Sequence, residues 1–258
     1  MKKAFAFLFY LWNLQLQNQT MGRIFEKRKH KMFARFDKMA KAFSRLGKEI
    51  AMAVKQSGPL TENNPRLRAA IQTAKGVNMP KDRIDAAILR ASSKADKDYE
   101  EVVYEGYGPF GVAILCETAT DNINRTVANI RSIFSKGDGS LGKTGSLDFI
   151  FSRKGVFKIK DSGIDPEELE LDLIDAGLEE LFTDPEEGVI IIYTALGDYS
   201  TMQRTLESKG LNVLSSELER IPQSFAEGLT EEQENEILEL VEKFEEDDDV
   251  QKVYHNMK

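Results

Sequence analysis

The spacing of apolar residues near the start of the chain predicts an amphipathic helix over Met32–Gln56. Its apolar side chains recur every three or four residues and so share one face: Phe36, Met39, Phe43, Leu46, Ile50 and Val54. Lysine and arginine side chains fall on the opposite face of this helix. The sequence Ser57-Gly58-Pro59 then ends it.

Two shorter helices are predicted next. Asn64 is a preferred capping residue and Pro65 suits the first helical position, so the second helix begins there. A third helix begins at Pro80 and continues through KDRIDAAILRAS. The apolar positions expected to face inward are Leu67, Ala70, Ile71, Ala74, Ile84, Ala87 and Ile88. Three helices with short links predict a small bundle.

From about Tyr99 the pattern becomes typical of strands. YEEVVYEGYG and FGVAILCETAT read as two strands joined at the turn Gly108-Pro109. A helix is predicted over Thr126–Lys136, followed by a glycine-rich turn and a strand over residues 147–152, which read LDFIFS. These elements predict an α+β domain.

The next six elements alternate in a known order. Strand Val156–Lys160, helix Pro166–Ala176, strands Leu178–Phe182 and Val189–Ala195, helix Ser200–Lys209 and strand Leu211–Arg220 are predicted. This β-α-β-β-α-β order is the ferredoxin-like signature. An acidic helix from Thr230 to about Glu246 and a last strand over Val250–Tyr254 close the chain.

The predicted fold class is therefore a multidomain α+β protein with a ferredoxin-like domain inserted in another domain. We predict a basic helical domain at 21–92, an α+β domain made of 93–152 plus 222–258, and the inserted domain at 153–221. Residues 1–20 imitate a signal peptide, but they lack a small-x-small cleavage pattern and their apolar run is too short to span a bilayer. We interpret them as a leader that is not native, with Met21 as the start.

Charge divides the chain more sharply than its net value of −8 suggests. Residues 21–90 contain 17 lysines and arginines against 6 acidic residues, whereas residues 91–258 contain 16 against 37. Such asymmetry indicates a part that binds a polyanion and a separate acidic part.

One motif imitates a nucleotide-binding loop. Residues Gly137–Thr144 read GDGSLGKT and match the pattern G-x-x-x-x-G-K-[ST]. A P-loop leaves a strand and enters a helix, so that helix amides face the phosphates. Here the predicted helix comes first and the strand second. We therefore predict a turn that uses the conformational freedom of glycine, and we reject a P-loop enzyme.

The remaining chemistry gives no support for an enzyme. Cys116 lies in an apolar run and is interpreted as a buried structural thiol. One cysteine and two histidines, His30 and His255, cannot assemble the usual four-ligand zinc site. No cofactor and no metal are predicted, and the spacing needed for a nucleophilic catalytic group is missing.

The basic residues of the helical domain are the candidate nucleic-acid ligands. Like charges in Lys27-Arg28-Lys29-His30-Lys31 repel one another, and pairing with phosphates would relieve this. Docking on the chain's own acidic domains is the alternative. The candidates are Arg23, Lys27, Arg28, Lys29, Lys31, Lys38, Lys41, Arg45, Lys48, Arg66, Arg68, Lys75, Lys81 and Arg83.

Several motifs in order resemble the YebC/PmpR family, from Met21 to the C-terminus. They are Asn64-Pro65-Arg66-Leu67-Arg68-Ala69-Ala70-Ile71, Asn78-Met79-Pro80-Lys81-Asp82, Tyr104-Glu105-Gly106-Tyr107-Gly108-Pro109, Thr120-Asp121-Asn122 with Asn124-Arg125-Thr126, Gly139-Ser140-Leu141-Gly142 before Gly145-Ser146, and Asp248-Asp249-Val250-Gln251 with Val253-Tyr254-His255-Asn256. Many family members begin Gly-His-Ser-Lys-Trp, whereas this chain has Gly22-Arg23-Ile24-Phe25-Glu26. Contacts of that histidine and tryptophan cannot be transferred to this chain.

The resemblance implies three domains, a cytoplasmic location and no catalytic residues. It implies a DNA-binding transcriptional regulator, and the alternative is a ribosome-associated translation factor that uses the same basic face on ribosomal RNA. Relatives of the second kind include factors that relieve stalling at proline runs and the mitochondrial translational activator of cytochrome c oxidase subunit I. No clear helix-turn-helix reading element is evident, and the sequence does not specify the oligomeric state.

Two turns are further candidates. The turn Tyr107-Gly108-Pro109 reads either as a functional tip or only as a hairpin. Asn122 and Arg125 lie in the family-like segment of residues 120–126, just before the helix predicted over Thr126–Lys136.

Overall fold

Three helices open the part of the chain that the structure describes. The structure is a computed structural model, and it describes residues 38–93 and 98–258. Helix α1 covers residues 38–57, and α2 and α3 follow over Pro65–Gly76 and Lys81–Ala91. Ile50, Val54, Leu67, Ala74 and Ile84 are each no more than 4% exposed, as expected for the inward faces of a bundle.

A buried asparagine links the first two helices. The side-chain oxygen of Asn64 accepts a hydrogen bond from the amide of Leu67 at 2.9 Å, which caps α2 as predicted. Its amide group donates to the carbonyls of Ala53 at 2.7 Å and Gly58 at 2.8 Å. One side chain therefore begins α2 and fixes the end of α1 beside it.

The second domain is built around an antiparallel sheet. Its elements are β1 (Glu100–Tyr107), β2 (Ala113–Thr120), α4 (Ile123–Lys136), β3 (Ser140–Leu141), α7 (Glu231–Glu246) and β8 (Val250–His255). The strand order is β3-β1-β2-β8. Helices α4 and α7 meet through Phe134 and Phe244, whose ring centroids are 4.7 Å apart within the core. Thr230 and Gln233 form a capping box at the start of α7.

The third domain interrupts the second. Its elements are β4 (Phe151–Lys160), α5 (Pro166–Leu173), β5 (Leu178–Asp184), β6 (Val189–Ala195), α6 (Tyr199–Ser208) and β7 (Val213–Pro222). The strand order β5-β6-β4-β7 is antiparallel throughout and is the ferredoxin-like arrangement. Phe151 lies opposite Pro222, so the two ends of this unit are neighbours and the chain can return to place β8 beside β2.

The predicted fold class is thus confirmed, while three predicted elements need correction. Residues 147–150 form turns rather than a strand, because the amide of Leu147 is bound by the buried carboxylate of Glu105 at 2.7 Å. The strands predicted on either side of Gly155 are one strand, β4. Helix α4 begins at Ile123, three residues earlier than predicted, because Asn122 caps it.

The predicted domain boundaries stay a prediction, and the predicted leader and residues 32–37 of the first helix lie outside the described residues. Within residues 38–93 and 98–258, no helix is long and apolar enough to cross a bilayer.

Candidate nucleic-acid interface

The predicted basic ligands separate into groups with different surroundings. Five of them, namely Arg23, Lys27, Arg28, Lys29 and Lys31, lie outside the described residues. The others are either held by acidic or carbonyl oxygens of the chain itself or exposed at the surface. The distinction decides which of them are available to phosphates.

Arg45 and Lys48 of α1 are held at the C-terminal end of α7. Arg45 Nη2 donates to the carbonyl of Glu245 at 2.8 Å. Lys48 Nζ donates to the carbonyls of Asp248 at 2.7 Å and Ala119 at 3.0 Å. Cations complete the unsatisfied carbonyls at the end of a helix and complement its dipole. These two side chains therefore join α1 to the second domain.

Asp249 lies at the centre of this junction. We call the carboxylate and the residues that bind it the Asp249 hub, which comprises Lys48, Thr120, Arg125, Thr126 and Asp249. One carboxylate oxygen, Oδ1, lies 3.2 Å from Lys48 Nζ. The other, Oδ2, accepts from Arg125 Nη2 at 2.6 Å, Thr126 Oγ1 at 2.9 Å and Thr120 Oγ1 at 3.2 Å. Burial of the carboxylate acts to raise its pKa, but the hydrogen bonds from Arg125, Thr126 and Lys48 outweigh it, and the pKa of Asp249 is lowered.

Asn122 and Arg125, the second candidate turn, hold the start of α4 and the Asp249 hub in place. The Asn122 side chain accepts from the amide of Arg125 at 3.1 Å and begins α4. The Arg125 guanidinium spans Asp249 and Asp121, at 2.6 Å and 2.9 Å. Arg125 and the predicted basic residue Lys48 are brought together around a polar cleft that Tyr99 and Asn129 also line, whereas Asn122 serves as the cap of α4.

Two arginines of α2 are likewise occupied. Arg66 Nε pairs with Glu49 Oε1 at 2.8 Å, and its Nη2 contacts a carboxylate oxygen of Glu101. Arg68 Nη1 donates to the carbonyl of Thr61 at 2.8 Å. Contacts within the chain therefore occupy both side chains, and the Arg66–Glu101 pair reaches the second domain.

Other predicted cations are exposed. Lys38 and Lys41 are exposed on α1. Lys75 lies in the last turn of α2, and Lys81 and Arg83 lie in the first turn of α3. The connection between these helices is tight, with Asn78 in the left-handed region at φ 58° and Met79 buried beneath it. This α2–α3 corner, comprising Lys75 and Lys81, presents positive charge to solvent.

The turn Tyr107-Gly108-Pro109 combines packing with an exposed tip. A Cβ on Gly108 would lie 2.9 Å from Ile114 Cδ1, so this glycine permits close packing. Tyr107 packs on the cluster around Leu115. The residue that projects is Phe110, which is 48% exposed at φ 60°. A bulky residue in this backbone region is uncommon. The sequence pattern did not single out Phe110, because its exposure depends on the hairpin.

The motif that imitates a P-loop packs against β1. Helix α4 precedes the motif, the short strand β3 lies within it and turns follow it, whereas a P-loop leaves a strand and enters a helix. A Cβ on Gly139 would lie 2.6 Å from the carbonyl of Tyr107, and one on Gly142 would lie 3.2 Å from the carbonyl of Glu105. Just beyond the motif, the Glu105 carboxylate accepts from the amide of Gly145 at 2.9 Å. The glycines are thus explained by close packing.

The two other candidate chemical groups are buried. Burial raises the pKa of the Cys116 thiol, which is fully enclosed, as predicted for a structural cysteine. Burial also lowers the pKa of His255. In the described residues, no group of three His, Cys, Asp or Glu side chains is placed to hold a metal ion.

Comparison with known proteins places the chain in a family. Residues 23–94 match the model described as the TACO1/YebC protein N-terminal domain, and residues 99–257 match the TACO1/YebC second and third domain. The chain belongs to the TACO1/YebC family. The predicted resemblance is thereby confirmed.

Related proteins of the TACO1/YebC family cover nearly the whole chain. A protein of Cytophaga hutchinsonii is 61% identical over 92% of this chain and 98% of its own length. One from Flavobacterium psychrophilum is 54% identical over 92% and 99%. Both bear the name "probable transcriptional regulatory protein". The crystal structure of a conserved hypothetical protein from Aquifex aeolicus is 37% identical, covers 85% of this chain and 90% of its own, and superposes with a TM-score of 0.74.

Proposed function

We propose that this TACO1/YebC protein regulates gene expression by binding nucleic acid through its helical domain. The observation that carries the proposal is the exposure of Lys75 and Lys81 at the α2–α3 corner, where neither lysine forms an ion pair with another described residue. Lys38 and Lys41 on α1 are likewise exposed. The names of the relatives support DNA as the target.

Phosphate contacts explain why these lysines remain unpaired in an otherwise acidic protein. Arg45, Lys48, Arg66 and Arg68 have partners within the chain. An exposed lysine binds a phosphate by releasing counterions, so affinity falls steeply with salt. The acidic remainder of the chain repels nucleic acid and limits the contact to this part of the surface.

A second candidate is binding to the ribosome through the same lysines. The exposed face of α3 carries Asp82 and Asp85 beside Lys81 and Arg83. Acidic side chains among basic ones are unfavourable on a helix inserted in the major groove of DNA, because the carboxylates would face phosphates. Recognition of a folded RNA by its shape is compatible with fewer, separated cations.

The test is the double variant Lys75→Glu/Lys81→Glu, with Lys160→Glu as the matched control. Lys160 is also exposed but lies at the end of β4 in the inserted domain. Arg45 and Lys48 are unsuitable targets, because their substitution also breaks the junction with α7.

Binding to duplex DNA is measured in a salt titration, and binding to ribosomes by gradient sedimentation in DNase-treated lysates. We expect the double variant to weaken binding and to reduce the slope of log K against log salt by about 1.8, for two lost phosphate contacts. The control should bind as the wild type does. If the double variant loses binding only in the DNA assay, the lysines act in transcription. If it loses binding only in the sedimentation assay, they contact the ribosome. Unchanged binding in both assays would refute the proposed surface.

A further inference from the structure

The inserted domain has one sheet edge without a partner in the described part of the chain. Strand β5 pairs with β6 alone and forms the outer edge of the order β5-β6-β4-β7. The opposite edge, β7, is covered by α2. There Gln72 Nε2 donates to the carbonyl of Val213 at 3.0 Å, and a Cβ on Gly76 would lie 2.3 Å from the carbonyl of Leu214. An open edge presents backbone donors and acceptors that can pair with another strand.

The side chains on this edge combine an aromatic pair with carboxylates. Phe182 is 50% exposed and contacts Tyr193 edge-on, with ring centroids 5.7 Å apart and an interplanar angle of 84°. Glu180 and Asp184 lie two residues to either side of Phe182, so all three share one face of the strand. The pattern along β5 is therefore acidic, aromatic, acidic.

Lys154 of β4 is outnumbered by the carboxylates around it. Lys154 Nζ lies between the carboxylates of Glu179, at 3.1 Å, and Glu180, at 3.7 Å, so the group keeps a net negative charge. Across residues 151–222, which span β4 to β7, there are 7 lysines and arginines against 16 acidic residues. The edge and the whole domain favour a cationic partner.

Charge also argues against two other occupants. Antiparallel pairing of β5 with a second copy, centred on Phe182, would place Glu180 of one copy opposite Asp184 of the other, and like charges directly opposite are destabilising. A nucleic acid would bring its phosphates to the same carboxylates. An extended segment with a basic, an apolar and a basic residue at every second position presents all three on one face, and so satisfies both the carboxylates and the aromatic pair.

We propose that β5 is a docking edge for a partner protein, which adds an extended basic strand to the ferredoxin-like sheet. Backbone pairing supplies affinity, while Glu180, Phe182 and Asp184 select a basic, an apolar and a basic side chain at every second position of the partner strand. The Leu178–Glu180 bulge confines the regular pairing to the second half of the strand. This edge belongs to the inserted domain, whereas the proposed nucleic-acid contacts belong to the helical domain, so the protein could bind both ligands.

The experiment uses the full chain and a fluorescein-labelled peptide that repeats Arg-Thr-Val-Thr, so that arginine and valine alternate along one face of the extended peptide. Binding is followed by fluorescence anisotropy at an ionic strength of about 0.15 M. The variants are Phe182→Ala and Glu180→Lys. The matched control for the first is Leu171→Ala, which removes a 73% exposed apolar side chain from α5 of the same acidic domain. The control for the second is Glu168→Lys, an exposed residue in the first turn of α5. Thermal unfolding checks that each variant is folded.

We expect both β5 variants to weaken peptide binding about tenfold, equivalent to about 1.4 kcal/mol, and both controls to retain it. A peptide of the same sequence with alternate N-methylated amides should bind as weakly, because it cannot pair with the strand. Amide hydrogen exchange should slow in β5 when the unmodified peptide is added.

Three results would overturn the proposal. They are that the peptide does not bind the wild type, that the control variants lose as much peptide affinity as the β5 variants, and that amide hydrogen exchange in β5 is unchanged when the peptide is added. Stronger binding of a single-stranded oligonucleotide than of the peptide, lost in Phe182→Ala, would assign the face to nucleic acid instead. Concentration-dependent self-association that is lost in Glu180→Lys would assign it to a second copy.

Discussion

The Asp249 hub predicts a large loss of stability from the smallest possible change, Asp249→Asn. The substitution keeps the shape of the side chain but removes the charge that Lys48 and Arg125 share. It also replaces one acceptor oxygen with an amide group that faces donors, among them Thr126 Oγ1 at 2.9 Å. Three elements, α1, α4 and the turn before β8, lose part of their connection.

The magnitude follows from the burial of each partner. Removal of one member of a buried ion pair costs about 3–5 kcal/mol, because the other charge is left uncompensated. The Lys48 side chain is only 14% exposed, but it keeps two carbonyl acceptors, and Arg125 is half exposed and can be rehydrated. The lower end of the range applies, and we expect a loss of about 3 kcal/mol.

The assay is urea unfolding followed by circular dichroism, with Asp248→Asn as the matched control. Asp248 is the neighbouring residue and has the same side chain, but that side chain is exposed, and only its backbone carbonyl contacts Lys48. We expect the control to change the free energy of unfolding by no more than about 0.5 kcal/mol. Equal losses for the two variants, or no loss for Asp249→Asn, would refute the assignment of the hub.

Further predictions concern pH, the glycine turn and the cysteine. Because the folded pKa of Asp249 lies below the ordinary value of 3.8, its stabilising contribution is present above that value and is lost as pH falls through the folded pKa. Acid unfolding of wild type and Asp249→Asn should therefore converge at low pH, and a constant difference would contradict this. Gly139→Ala should destabilise the protein by about 1–3 kcal/mol through its clash with the Tyr107 carbonyl, whereas Gly47→Ala, which meets no atom within 4 Å in the interior of α1, should stabilise it by about 0.5–1 kcal/mol. Wild-type protein should show no heat of MgATP binding by calorimetry, and micromolar binding would restore the P-loop interpretation of the glycine turn. Cys116 should react with a thiol reagent only at the rate of unfolding, and rapid labelling in native buffer would show that the thiol is accessible.

Local patterns were sufficient for most of the architecture. The faces of the helices, the cap at Asn64 and the β-α-β-β-α-β order are each encoded by a few residues close together in the chain. Predictions failed where a distant partner decided the conformation. Leu147–Ile150 has the apolar pattern of a strand, but its backbone turns around the carboxylate of Glu105, 42 residues before Leu147.

The sequence by itself determined the family, the fold class and the separation of charge between the helical domain and the rest. Only the tertiary structure decided which cations are available, because Lys48 and Asp249 are 201 residues apart and yet form one ion pair. A lysine that faces phosphate and a lysine that closes a domain junction have the same local pattern. They differ in the oxygen atoms that folding places around them, and no spacing rule specifies those atoms.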